Sequence, residues 1–70
     1  MPKLPGIPHQ RAVNAFKKVG FRVIREGKHV SMAKDDRIII IPRNIPINAF
    51  TMAGIIKDAG LSIEEFKELL

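Results

Sequence analysis

Residues 21–42, FRVIREGKHVSMAKDDRIIIIP, contain three short runs of strand-forming residues separated by two pairs of turn formers. Phe21 to Glu26 alternates and is rich in β-branched and aromatic types. Gly27-Lys28 interrupts it, and a second run extends from His29 to Lys34. Successive strand residues point to opposite faces, so Val30 and Met32 share one face while His29, Ser31 and Ala33 share the other. Asp35-Asp36 forms the next turn, and Arg37 to Ile41 a third run stopped at Pro42. Three short strands with two tight turns predict an antiparallel meander.

Outside this stretch the period changes. Residues 1–8, MPKLPGIP, read as an extended lead-in. From His9, the apolar residues Ala12, Val13, Phe16 and Val19 follow helical spacing, with Lys17 and Lys18 in the last turn and Gly20 as a stop. Residues 42–50 read as a loop. Thr51 can cap a second helix, Met52 to Ala59, with Ile55, Ile56 and Ala59 inward and Gly60 ending it. Gly54 inside that helix costs about 1 kcal/mol relative to Ala, without a compensating reason in the sequence. Ser62-Ile63-Glu64-Glu65 is a capping box, with Leu61 and Phe66 placed to staple it, so a third helix starts at Ile63 and buries Phe66 and Leu69. The order predicts an α+β fold: α-β-β-β-α in two layers, a three-stranded antiparallel sheet and a short C-terminal helix.

Seventy residues make one domain, expected to span residues 1–70. Its core should yield no more than roughly 3–5 kcal/mol. An apolar content of 46 % argues against disorder, and the absence of cysteine excludes a disulfide framework. The longest aliphatic run, Ile38 to Ile41, is far too short to span a bilayer. A soluble, cytoplasmic protein is expected. The four consecutive isoleucines make both faces of an edge strand apolar, which calls for a cover: the 42–50 loop, a protein partner or a homo-oligomer contact through this strand.

The net charge of +5 is concentrated at the front. Residues 1–43 hold ten Lys/Arg against three acids, whereas residues 44–70 hold two against four. A basic front of this kind points to a polyanion, with nucleic acid the usual candidate. Of the two histidines, His29 opens the second strand on the face opposite Val30 and Met32, and is expected in solvent. His9, beside Pro8 at the start of the first helix, reads as a solvated end residue.

These residues also form an ordered set. Gly20-Phe21, Gly27-Lys28-His29, Ile41-Pro42, the run Thr51 to Leu61 (TMAGIIKDAGL) and Glu65-Phe66 together resemble the HicA (YcfA-like) toxins, over nearly the whole chain from Leu4 to Leu70. The resemblance implies a fold like that of a double-stranded-RNA-binding domain. It also implies an mRNA interferase held in check by a HicB-type antitoxin, with the catalytic histidine of the Gly-x-His motif falling on His29. RNA carries its own nucleophile, the 2′-hydroxyl, so cleavage needs a base for that proton and cations for the phosphorane. His29 suits the first role; Lys28, Arg25 and Arg43 suit the second, as phosphate-binding residues. No cofactor and no metal is expected, since no cysteine and no histidine–carboxylate pair stands at ligand spacing.

With no tryptophan or tyrosine, and four phenylalanines at expected core or loop positions, a base-stacking platform is not expected. The chain departs from the family pattern at Asn44, where members often have histidine, and at Ala53, where they often have arginine or lysine. Two other classes stay open at this point: a non-catalytic RNA-binding module on the same fold, and a protein-interaction domain using the isoleucine strand.

Overall fold

The computed structural model describes residues 6–43 and 47–70. Its elements are α1 (His9–Lys18), β1 (Arg22–Glu26), β2 (His29–Lys34), β3 (Arg37–Pro42), α2 (Ala49–Asp58) and α3 (Ile63–Leu69). The strands form one antiparallel sheet in the order β1-β2-β3, the expected meander. Helices α1 and α2 pack over one face, where Val30, Met32, Ile39 and Ile41 are buried, and α3 packs against both helices. The other face is open.

Phe16 of α1 is the hub of the core. Its ring meets Phe21 edge-on, with centroids 5.7 Å apart, and lies 5.0 Å from Phe66 of α3. One side chain thus ties α1 to the start of the sheet and to the last helix. The Ser62 hydroxyl accepts from the Glu65 amide at 3.1 Å, and the Glu65 carboxylate accepts from the Ser62 amide at 2.9 Å, completing the expected capping box.

Three expectations need correction, and the extended lead-in does more than its sequence indicates. Helix α2 begins at Ala49, three residues before Met52, because Asn48 caps it in place of Thr51. The Asn48 side-chain oxygen accepts the Thr51 amide at 2.8 Å, so Thr51 is already inside the first turn. Phe50 therefore belongs to a helix and not to a loop, and is 93 % exposed. The lead-in contributes to the core: Ile7 is buried and pairs with Ile47, whose amide donates to the Ile7 carbonyl at 2.7 Å. Lastly, β1 does not alternate throughout. Val23 pairs with Met32 but Arg25 with Ser31, so Ile24 is an extra residue in a β-bulge. Strict alternation would place Phe21, Val23 and Arg25 all on the core face. Burying an unpaired guanidinium is costly, and the bulge turns Arg25 to the open face instead.

Helix α2 runs antiparallel to β3. Arg37, at the start of β3, donates from Nη1 to the Asp58 carbonyl at the end of α2, at 3.1 Å. Its guanidinium also crosses Gly60, whose φ of +79° strains any L side chain and where a Cβ would crowd the Arg37 guanidinium at 3.0 Å. The beginning of α2 therefore lies at the end of the sheet where β3 finishes.

Phe16→Ala removes the hub ring. A loss of about 3–5 kcal/mol is expected, comparable to the whole stability of so small a core. Thermal unfolding followed by circular dichroism should show a variant largely unfolded at 25 °C; a cooperative transition near the wild-type temperature would contradict the role given to Phe16.

Candidate active site

His29, Lys28, Arg25 and Arg43 come together at one end of the open face. His29 is exposed at the first position of β2 and pairs across the sheet with Pro42. Burial of Val30 and Met32 fixes the strand's phase, and that phase turns His29 and Ser31 outward. Lys28 is exposed in the turn between β1 and β2, which the Gly27 amide closes by donating to the His29 carbonyl at 3.1 Å. Arg25 reaches the same face because of the bulge at Ile24. A shallow, open depression of about 390 Å³ is lined by Arg25, Gly27, Lys28, His29, Ser31 and Ile40.

Arg43 is near this depression in a different role from the one expected. Its Nη1 donates to the Gly27 carbonyl at 2.9 Å, so the guanidinium bridges the end of β3 to the β1–β2 turn. It holds the loop that carries Lys28 and His29. Other members of the basic front are likewise structural: Lys18 donates from Nζ to the Leu69 carbonyl at 2.7 Å, and Arg37 to Asp58.

Residue type and spacing alone do not single out Ser31 or Ile40 as site residues. Ser31 sits between Arg25 on β1 and Ile40 on β3 in the strand register. The signal is present in the alternation, which puts Ser31 on the His29 face, but a lone serine carries no chemistry until the depression forms around it. His9 does not line the depression; it is half-buried, and its Nδ1 is enclosed without a hydrogen-bond partner among the described residues, contrary to a solvated end residue. Ala53 is half-buried on α2, and Asn44 lies outside the described residues. Ile38 and Ile40 are 62 % and 56 % exposed, and Ile24 is 50 % exposed, so this face carries apolar surface beside the cations.

Among the described residues no three histidine, aspartate or glutamate side chains gather closely enough to hold a metal ion. None of their helices is long and apolar enough to cross a membrane.

A family model described as the HicA toxin of bacterial toxin–antitoxin systems matches residues 10–61. The chain belongs to the HicA toxin family. The matched span includes the whole sheet, the depression and α2, and stops before α3. Comparison with curated proteins and with solved structures gives no match. As a HicA toxin, the protein is the toxic half of a pair whose other half is an antitoxin.

The Arg43 bridge has a measurable consequence. In Arg43→Ala, the Gly27 amide should exchange with solvent several-fold faster by NMR, while global stability falls by only about 0.5–1.5 kcal/mol. Unchanged exchange at Gly27 would mean that Arg43 does not hold the turn.

Proposed function

We propose that this HicA toxin is an endoribonuclease that cleaves mRNA at the His29 depression without a metal ion. The observation that carries the reading is an exposed imidazole in an open depression whose other polar walls are Lys28, Arg25 and Ser31. Neutral His29 takes the proton of a ribose 2′-hydroxyl. The freed oxygen attacks the adjacent phosphorus and forms a 2′,3′-cyclic phosphate. The bond to the 5′-oxygen breaks, that oxygen takes a proton from water, and the hydroxide left behind takes the proton held by the His29 imidazolium, which restores the neutral base. Charge builds on the non-bridging oxygens during attack, and Lys28 and Arg25 supply the opposing charge where water is plentiful and a long side chain can follow the phosphate. Arg43 supports this by fixing the turn.

The depression is shallow and its cations recognise phosphate, so the cut should show little base preference on their account. The substrate places the protein in the cytoplasm. A HicB-type antitoxin blocks the reaction by covering this face, where Ile38 and Ile40 offer apolar surface beside the cations. The same strand is the surface through which a homo-oligomer would form.

Replacing His29 by Ala should lower cleavage of a mixed mRNA by about 10²–10⁴-fold with an unchanged circular dichroism spectrum. Cleavage by the wild type should persist in EDTA. If the wild type binds RNA tightly but never cuts it, the protein is a binding module and not a nuclease. The charge roles are tested separately. Lys28→Ala with Arg25→Ala should flatten the salt dependence of RNA affinity, the slope falling by about 0.7 for each phosphate that is no longer neutralised. An unchanged slope would remove both residues from the phosphate path.

A further inference from the structure

The open face of the sheet is a trough. Its floor is the middle strand, where the small residues Ser31 and Ala33 are half-buried. One rim is β3, whose exposed Ile40 and Ile38 pair with those two residues. The other rim is β1, whose exposed Arg25 and Arg22 pair with the same two. The His29 depression is one end of the trough. At the other end a second depression, of about 370 Å³, is lined by Gly20, Arg22, Ala33, Lys34 and Asp35.

Two cations are built into that far end. Arg22 is turned to the His29 face by its pairing with Ala33, since residues 29, 31 and 33 of one strand share a face. Lys34 reaches the depression across Gly20: a Cβ on that glycine would come within 3.3 Å of the lysine Cε and 3.8 Å of its Nζ. Gly20 has a φ of +103°, which side chains rarely adopt, so the glycine that follows α1 is also the bare backbone beside the Lys34 stem. One acid, Asp35, shares the depression. Two positive charges against one negative leave a net charge that suits a single phosphodiester.

One strand ties the two ends together. His29 and Ala33 lie on the same face of β2, four residues apart, which at about 3.3 Å per residue is about 13 Å. A stacked nucleic-acid strand rises about 3.4 Å per nucleotide, so roughly four nucleotides cover that distance, and fewer when the strand is extended. Neighbouring β-strands stand about 4.8 Å apart, so the floor between the rims is one backbone wide. Arg25 near the His29 end and Arg22 at the far end carry positive charge along the whole β1 rim.

We propose that Arg22 and Lys34 form a second phosphate subsite, which holds the backbone of single-stranded RNA a few nucleotides from the bond cleaved at His29. The trough is two-sided in its chemistry, with cations on the β1 rim and the exposed Ile38 and Ile40 on the β3 rim. A single strand laid along it turns its phosphates to the first and its less polar sugars and bases to the second. A duplex, with its bases paired inside and phosphates on both sides, has no apolar edge to offer the isoleucines. This inference rests on the nuclease reading for its ligand, and extends the site from one phosphate to a path with two ends.

The test uses full-length protein carrying His29→Ala, so that RNA is bound and not cut, and an unstructured RNA decanucleotide. Adding Arg22→Ala with Lys34→Ala should weaken binding by roughly 2- to 30-fold, as for two exposed charge pairs. The salt slope should fall by about 0.7 for the phosphate released. Lys57→Ala with Lys67→Ala removes the same charge from exposed positions on α2 and α3, and should leave the affinity close to that of the parent. Asp35→Asn should tighten binding, which damage to the fold cannot do; asparagine tolerates the φ of +54° found there. Equal affinity in the Arg22/Lys34 variant and the parent, or an equal loss in the Lys57/Lys67 control, overturns the subsite and leaves the nuclease reading intact. Tighter binding of a duplex than of its single strands overturns it as well. Loss of antitoxin binding with RNA affinity unchanged would make the pair a protein contact instead. If the parent protein binds no RNA at all, both readings fall together.

Discussion

Val30 and Met32 lie in the middle strand, with strands on both sides and helices above, and almost none of their surface reaches water. Burying side chains of this size stabilises the fold by about 1.5–3 kcal/mol each, a large share of what a core this small can supply. A slip of one residue along β2 would expose both and turn His29 inward, because strand faces alternate strictly. The packing that holds the sheet together is therefore the same packing that presents the imidazole to solvent. The turn before it is set by a second, polar restraint, the Arg43 guanidinium on the Gly27 carbonyl.

The site is also assembled by a departure from regularity. Without the bulge at Ile24, Arg25 would face the core. The bulge gives up one ladder position and gains two things: an uncharged interior and a cation on the His29 face. A local exception at β1 thus serves both stability and chemistry. Among the cations, Lys18, Arg37 and Arg43 hold backbone carbonyls, whereas Arg25 and Lys28 line the depression.

Much of this is legible from residue types and spacing. The β2 phase, the turns at Gly27-Lys28 and Asp35-Asp36, and the Ser62 capping box are short-range patterns, and the structure contains each of them. What the residues alone do not reveal is decided by competition or by tertiary contact. Asn48 and Thr51 are both good caps, and only packing selects the earlier one. Ile24 looks like any strand residue, so nothing local marks the bulge. Ile7 is hidden in a proline-rich lead-in, and its burial depends on Ile47, forty residues away. Phe50 looks like a core or loop residue by its chemistry, and the earlier helix start rotates it outward. Arg43 looks like a phosphate contact because charge alone does not reveal a carbonyl partner.

Attack by a 2′-hydroxyl leaves a signature that no other route to RNA hydrolysis shares, and the ends of the cut fragments record it. Mass spectrometry of a short RNA after digestion should show 2′,3′-cyclic phosphate on the upstream product and a free 5′-hydroxyl on the downstream one. A 3′-hydroxyl with a 5′-phosphate would mean that water, and not the ribose, was the nucleophile, and the role assigned to His29 would be wrong.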